Sequence, residues 1–163
     1  TLFPYTTLFR SAEVSEDVAK EAHELALRLA QGFELAGILA IELFVTKDER
    51  VIVNELAPRP HNSGHYTIEA CSFDQFDAHI RGIAGWPLEQ PELLKPAVMV
   101  NVLGQHVAPT RALIAEHPEW NMHDYCKAEV RHDRKMGHIT VLTDDTRQTV
   151  ADLEWTGCWD DLK

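Results

Sequence analysis

A chain of 163 residues, 45% of them apolar, is long enough to fill the core of an ordinary domain, which argues against a disordered tail. Its 26 acidic and 15 basic residues give a net charge of −11, which excludes a basic nucleic-acid-binding module and attraction to anionic lipid. The longest apolar stretch, residues 37–45, is too short to cross a bilayer. Three cysteines without paired spacing (Cys71, Cys126 and Cys158) fit the reducing cytoplasm.

The first eleven residues, TLFPYTTLFRS, differ from the rest of the chain. They contain no acidic residue and show no helical or strand period, yet they precede a strongly acidic helical pattern. The string resembles the translation of a common sequencing adapter, which predicts a non-native segment over residues 1–11. A natural extended arm that packs on a partner is the alternative. We leave the segment out of the fold prediction.

The apolar pattern of residues 12–90 predicts an amphipathic helix, a β-hairpin, a proline-containing loop and a second helix. Ser15 caps the first helix and Gly32 ends it. The charged run KDER supplies the hairpin turn, and Phe73 and Phe76 are expected in the core. The predicted hairpin strands are Ile38–Thr46 and Val51–Leu56. The loop covers Ala57–Gly64, and the second helix covers Thr67–Ala84.

A segment rich in proline and glutamate, residues 87–96, follows, and we place a domain boundary between residues 90 and 91. Beyond it, Gly137 and His138 are expected to form a turn. We predict an α+β fold, with an antiparallel sheet and helices over residues 12–90 and a small β-rich subdomain over residues 91–163. The predicted strands of this subdomain are Ala97–Leu103, Ala128–Val130 and Ile139–Leu142, and its helices are Thr110–His117 and Thr146–Trp155.

Two glutamates of the hairpin are its most informative residues. If Thr46 pairs with Val51, Glu42 lies directly opposite Glu55 on one face of the hairpin. Opposed carboxylates repel each other, so they require a compensating cation or a raised pKa. Two oxygen ligands at this separation suit Mg²⁺, which completes its octahedron with water and nucleotide phosphates. In a slipped register, Glu42 would instead lie on an exposed face and Glu55 would only begin a loop.

The loop after the hairpin carries Arg59, His61, Asn62 and Ser63 within five residues. Arginine offers a planar fork for a carboxylate or phosphate, and histidine moves a proton near neutral pH. This combination predicts an anion site beside the two carboxylates. The alternative is a turn that contains isolated histidines without a ligand.

A second group of basic residues lies within nine positions of an acidic chain. It consists of Lys127, Arg131, Arg134 and Lys135. Such a concentration of positive charge suits a phosphate group. The alternative is a solvated turn whose charges pair with neighbouring acidic residues, and Arg131 in particular fits such a pair.

Four strings of the sequence are specific: AIELFVT around Glu42, VNELAPRPHNSGHYTIEA from Val53 to Ala70, PAVMVNVLG from Pro96 to Gly104, and KAEVRHDRKMGHIT from Lys127 to Thr140. Together they resemble the N5-carboxyaminoimidazole ribonucleotide synthetase family of ATP-grasp enzymes over essentially residues 12–163. Biotin-carboxylase-like proteins tend to have asparagine where this chain has Ala57. Formate-dependent glycinamide ribonucleotide transformylases typically lack the NSGH ending of the loop.

The resemblance implies an ATP-dependent ligase of purine biosynthesis that carboxylates 5-aminoimidazole ribonucleotide with bicarbonate, through carboxyphosphate. It implies Mg²⁺ held by Glu42 and Glu55, with Asn54 and Glu55 beside ATP. Arg59 and His61 would be the catalytic residues that face bicarbonate and the aminoimidazole. The implied substrate-binding residues are Arg59, His61, Asn62, Ser63, Lys127, Arg134 and Lys135.

The resemblance further implies that residues 12–90 are the C-terminal half of an ATP-grasp domain. The family is expected to have an N-terminal Rossmann-like domain and an ATP lid as well, and neither is present in these 163 residues. We therefore expect a homodimeric intact enzyme but no ATP turnover by this chain alone. A non-catalytic binding or assembly module, or another ATP-grasp ligase, is the alternative function. No nucleic acid and no membrane is expected as a partner.

Overall fold

The computed structural model of the chain describes residues 8–9 and 14–160, which fall into two compact units. The hairpin unit comprises Ser11–Ile68 and Ser72–Glu92, and the sheet unit comprises Thr1–Arg10, Glu69–Cys71 and Leu93–Lys163. Within the described ranges, no helix is both long enough and apolar enough to cross a membrane. In chain order the elements are β1 (Leu8–Phe9), α1 (Glu16–Gly32), β2 (Ala40–Val45), β3 (Val51–Ala57), α2 (Thr67–Ala70), α3 (Gln75–Ala84), β4 (Ala97–Leu103), α4 (Val107–Leu113), β5 (Asn121–Asp124), β6 (Lys135–Leu142) and α5 (Thr146–Trp155).

Helix α1 begins and ends where the sequence predicts. Ser15 is the N-cap, and its hydroxyl accepts a hydrogen bond from the backbone N–H of Val18 at 3.4 Å. Glu16 and Asp17 occupy the first turn, where their charge interacts favourably with the helix dipole. The helix buries Val18 and leaves most of its other residues partly or fully exposed.

Strands β2 and β3 form a two-stranded antiparallel sheet. The predicted opposition of Glu42 and Glu55 is confirmed, but the predicted turn is wrong, because Val45 and not Thr46 pairs with Val51. The register shifts by one residue between Glu42 and Leu43, and Asn54 is the extra residue of this β-bulge. The longer turn and the bulge compensate, so the two glutamates still face each other.

The helix predicted over Thr67–Ala84 is two helices, α2 and α3. They are separated by residues 71–74, where Ser72 forms hydrogen bonds with the backbone of Glu92 through both its N–H and its hydroxyl. Asp74 then caps α3 by accepting from the N–H groups of residues 76 and 77 at 2.7 and 2.9 Å. Phe76, expected in the core, is 43% exposed and stacks on the ring of His65.

The sheet unit contains a four-stranded antiparallel sheet in the order β1-β4-β6-β5. Its central strands β4 and β6 are buried along almost their whole length. Valines of β4 pack with Ile139, Trp120 and Trp159 in the core. The predicted strand Ala97–Leu103, the predicted helix Thr146–Trp155 and the α+β fold class are confirmed.

Three predictions in the sheet unit are wrong. Ala128–Val130 is not a strand, and the strand of this region is β5, which lies earlier in the chain. Gly137 and His138 do not form a turn but lie inside β6, because Gly137 is paired with Val102 of β4 and Asp124 of β5. Helix α4 begins at Val107 rather than Thr110 and ends in a short 3-10 turn.

The first strand falls in the segment that we left out of the fold prediction. Leu8 pairs with Val100 and Phe9 with Met99, so these two residues extend the sheet at its β4 edge. The backbone of β4 offers hydrogen-bonding groups to any strand that lies along that edge. The non-native origin of residues 1–11 stays a prediction.

Candidate active site

The hairpin places two carboxylates on one face. Glu42 and Glu55 are directly opposed, a position in which Cβ atoms lie about 4.5 to 5.5 Å apart. The bulge brings Asn54 to the same place, and its Nδ2 donates to Oε2 of Glu42 at 3.2 Å. The side-chain carboxylate of Glu55 has no hydrogen bond or ion pair with any other described residue. Its carboxylate is thus available to a cation.

His61 extends this face into the following loop. Its Nε2 lies 3.9 Å from Oε1 of Glu42, and its side chain is only 14% exposed. The Nδ1 atom accepts from the backbone N–H of Ser63 at 3.4 Å and lies 2.9 Å from the Ser63 hydroxyl. With Nδ1 turned toward Ser63, Nε2 is the ring nitrogen that faces Glu42.

Two further residues of the loop differ in exposure: the side chain of Arg59 is exposed, and the amide of Asn62 is buried. Arg59 is exposed, and its guanidinium donates only to the carbonyl of Pro60 at 3.0 Å among the described residues. Both amide atoms of Asn62 are buried and have no hydrogen-bond partner in the described part of the chain. A buried amide without a partner is costly, so this position favours a ligand or water that satisfies it.

Sequence reasoning did not identify Gln75, which holds this loop. The residue is 7% exposed, and its side-chain amide bonds to both the N–H and the carbonyl of His61 at 2.9 Å. The only available signal was Asp74, a good N-cap residue that marks a helix start at this point. The contacts of Gln75 with His61 join residues fourteen positions apart, so no local sequence pattern predicts them.

The predicted phosphate-binding residues lie in the sheet unit, where two of their side chains donate to backbone carbonyls of the same segment. Lys127 donates from Nζ to the carbonyl of Lys135 at 2.5 Å, and Arg134 donates to the carbonyl of Glu129 at 3.2 Å. Arg131 forms an ion pair with Glu129, as the sequence indicated for that residue. Lys127 and Arg134 are therefore not neutralised by a carboxylate within the described ranges.

A cavity of about 210 Å³ lies beside Lys127. Arg111 and Asp124 also line it, and their side chains form an ion pair at 2.7 Å. The hydrogen bond from Arg111 lowers the pKa of the Asp124 carboxyl, and the N–H of Cys126 adds to this effect. The remaining lining residues are Val102, Val107, Met122, Cys126, Val130 and Met136.

The ring of Tyr125 lies under the ammonium group of Lys127, whose Nζ is 5.4 Å from the ring centroid. The phenol oxygen lies 2.9 Å from Nδ1 of His138. Burial raises the pKa of Tyr125 to about 12, so the phenol of the folded chain keeps its proton beyond the pH at which an exposed tyrosine ionises.

This pKa predicts an alkaline loss of stability. Between pH 10, the ordinary pKa of tyrosine, and pH 12, the unfolded chain releases a proton that folded Tyr125 keeps. The free energy of unfolding should therefore fall as the pH rises through this window. Tyr125→Phe should flatten this fall while it keeps the ring under Lys127. Urea unfolding followed by tryptophan fluorescence at pH 8, 10 and 11 measures both slopes, and equal slopes would contradict the prediction.

The chain matches known proteins along most of its length. Residues 5–76 match the model of the ATP-grasp domain, and residues 97–152 match that of the phosphoribosylaminoimidazole carboxylase C-terminal domain. An N5-carboxyaminoimidazole ribonucleotide synthase of Staphylococcus aureus is 47% identical over 138 residues, which are 84% of this chain and 37% of that protein.

Solved structures give the same result. The ADP complex of an N5-carboxyaminoimidazole ribonucleotide synthetase matches with a TM-score of 0.93 and 39% identity, over 99% of this chain and 43% of that one. A synthase from Aspergillus clavatus, in complex with ADP and 5-aminoimidazole ribonucleotide, matches with a TM-score of 0.84 and 31% identity, over 96% of this chain and 44% of that one.

The fold and the paired carboxylates thus define an ATP-grasp protein. Within that class, the chain belongs to the family of N5-carboxyaminoimidazole ribonucleotide synthases. It spans 37% of the length of the Staphylococcus aureus relative. The resemblance identified from the sequence is confirmed.

Proposed function

We propose that this chain supplies part of the active site of a ligase that uses ATP to carboxylate 5-aminoimidazole ribonucleotide with bicarbonate. The observation that carries the proposal is the opposition of Glu42 and Glu55 next to the loop that contains His61. We propose residues 12–90 as the C-terminal half of the ATP-grasp domain and residues 91–163 as the C-terminal subdomain. The family likeness supports a cytoplasmic homodimer.

Glu42 and Glu55 would hold Mg²⁺ together with the phosphates of ATP, and Asn54 would lie beside the nucleotide. The residues fit this ion, because Mg²⁺ is bound by one or two carboxylates plus phosphates and water rather than by a protein cage. The bound ion would neutralise the charge of the transferring phosphoryl group.

The proposed reaction has two steps. An oxygen of bicarbonate attacks the γ-phosphorus of ATP, ADP leaves, and carboxyphosphate forms. The amine of the aminoimidazole then attacks the carboxyl carbon, inorganic phosphate leaves, and the new carbamate nitrogen loses a proton. Arg59 would orient bicarbonate, and His61 would assist the movement of this proton. Asn62 and Ser63 would complete the substrate contacts of the loop.

A hybrid synthase tests the proposal. In this protein, the 138 matched residues of the chain replace the corresponding region of the Staphylococcus aureus relative. We expect ADP release that depends on both 5-aminoimidazole ribonucleotide and bicarbonate. ADP release that depends on bicarbonate with a different acceptor would favour another ATP-grasp ligase, and a folded hybrid without turnover would favour a binding or assembly module.

The basic residues of the sheet unit give a further prediction. Lys127→Met and Arg134→Met should each raise the KM for 5-aminoimidazole ribonucleotide by on the order of tenfold or more, because each removes a charge-assisted contact to its phosphate. The KM for ATP should not change. Lys135 is a weaker candidate for this phosphate contact than Lys127 and Arg134. Arg131→Met is the matched control, since Arg131 already pairs with Glu129. If Arg131→Met raised this KM as much as Lys127→Met and Arg134→Met do, the assignment would be contradicted.

A further inference from the structure

We propose that Gln75 is a positioning residue for His61 and sets the direction in which the imidazole faces Glu42. The effect of this positioning on catalysis rests on the proposed function. The positioning itself is a property of the loop and can be measured without turnover.

The side-chain amide of Gln75 pairs with the backbone of His61 in both directions. Its Oε1 accepts from the N–H of His61 at 2.9 Å, and its Nε2 donates to the carbonyl of His61 at 2.9 Å. Because the N–H and the carbonyl of His61 belong to the peptide units on either side of its Cα atom, the two hydrogen bonds fix both the position and the tilt of the His61 backbone. A glutamate accepts in the same way but cannot donate while it is ionised, and an asparagine is one methylene shorter.

The same amide also holds the end of the loop. Nε2 of Gln75 lies 2.7 Å from Nδ1 of His65, and the backbone N–H of Gln75 donates to the hydroxyl of Thr67 at 3.0 Å. That hydroxyl in turn donates to the carbonyl of Gly64 at 2.6 Å. The loop is therefore closed on a buried residue at the start of α3, and Gln75 is the member that contacts both histidines.

Gly64 leaves the space that Gln75 needs. A Cβ atom at position 64 would lie 2.5 Å from Oε1 of Gln75, although nothing in the backbone of Gly64 forbids alanine. Because the obstructed atom is the end of a flexible side chain, alanine would displace the amide rather than break the fold. The displaced amide would lose its bonds to His61.

Fixing the backbone of His61 matters because its imidazole contacts Glu42 only at a distance. The imidazole is held at Nδ1 by Ser63, and Nε2 stands 3.9 Å from Oε1 of Glu42. Proton transfer in the proposed reaction requires heavy-atom distances of about 2.6 to 3.2 Å to the reacting group, so a small shift of the ring is costly. Gln75 restricts that shift from the backbone side.

The first experiment uses the 163-residue chain and NMR. Gln75→Met keeps the length of the side chain and removes its polar atoms, and Gln31→Met makes the same change at an exposed position of the hairpin unit. We expect Gln75→Met to accelerate amide hydrogen exchange at His61 by on the order of tenfold and to change the chemical shifts of the His61 imidazole. Gln31→Met should do neither, and the amides of β4 should keep their protection in both variants.

A double-mutant cycle keeps the inference testable if Gln75→Met perturbs the whole unit. Gly64→Ala should accelerate exchange at His61 when Gln75 is present. The same change should have little additional effect in a Gln75→Ala background, since the obstructed atom is then absent. Additive effects, or unchanged exchange at His61 in Gln75→Met, would overturn the inference.

Turnover of the hybrid synthase separates this inference from the proposed function. Gln75→Met should lower kcat by roughly 10-fold to 100-fold with little change in the KM for ATP. A hybrid without activity would contradict the proposed function but leave the NMR result intact. Unchanged kcat beside faster exchange at His61 would show that the loop geometry does not serve catalysis and would overturn the positioning role.

Discussion

Glu42→Gln and Glu55→Gln are each expected to lower Mg²⁺-dependent ADP release by the hybrid synthase by about 100-fold or more. Each change keeps the shape of the side chain and removes one of the two negative ligands that face the same point of the hairpin. A divalent ion bound by one carboxylate neutralises the transferring phosphoryl group less well. Initial rates of ADP release over a range of Mg²⁺ concentrations measure the loss.

The same two substitutions should not destabilise the chain. Directly opposed like charges are unfavourable, so removing one carboxylate should raise the free energy of unfolding by about 0.2 to 1 kcal/mol without metal. Urea unfolding in a chelator measures this change. Activity and stability should thus move in opposite directions, which is typical of residues that a ligand requires.

Glu49→Gln is the matched control for both measurements. Glu49 is an exposed acidic residue in the turn of the same hairpin, and it does not face the other two glutamates. It should leave turnover near the parent value. Retained turnover in Glu42→Gln or Glu55→Gln would remove that residue from the metal site.

Gly104→Ala should have the second largest effect. Gly104 is buried, and a Cβ atom there would overlap the backbone carbonyl of Arg131. A backbone group cannot swing aside as a side chain does, so the basic segment from Lys127 to Lys135 must shift. We expect a loss of about 1 to 3 kcal/mol in the free energy of unfolding. We also expect a rise of about tenfold in the KM for 5-aminoimidazole ribonucleotide.

Gly32→Ala is the control for this substitution, because no atom lies within 4 Å of the Cβ that it adds. That variant should be neutral or slightly more stable, since alanine favours the helix. Urea unfolding and the KM for 5-aminoimidazole ribonucleotide compare the two variants. An unchanged KM in Gly104→Ala would show that the position of the basic segment does not determine substrate binding.

Local sequence patterns were sufficient for several parts of the structure. Ser15 and Gly32 mark the ends of α1 because capping depends on neighbouring backbone groups. The alternation of β2 and β3 placed Glu42 and Glu55 on one face, although the register assumed at the turn was wrong. The two glutamates still face each other because the longer turn shifts the register by one residue and the bulge at Asn54 shifts it back.

Other parts depend on contacts between distant residues. The break between α2 and α3 has one local signal, the N-cap residue Asp74, but the hydrogen bonds between Ser72 and Glu92 that hold it have none. Gly137 looks like a turn residue, yet pairing with β4 and β5 on its two sides makes it part of a strand. Strand β5 is short and polar, and it exists because the edge of β6 offers it partners.

The sequence by itself determined the family, the pair of glutamates and the basic and histidine-containing segments, because these features depend on residue identity and short spacing. Only the tertiary structure showed that Asn54 contacts Glu42, that Gln75 holds His61 and that Gly104 adjoins Arg131. Each of these contacts joins residues at least twelve positions apart in the sequence. Their geometry is decided by packing and by backbone hydrogen bonds between separate elements, and local patterns carry no information about either.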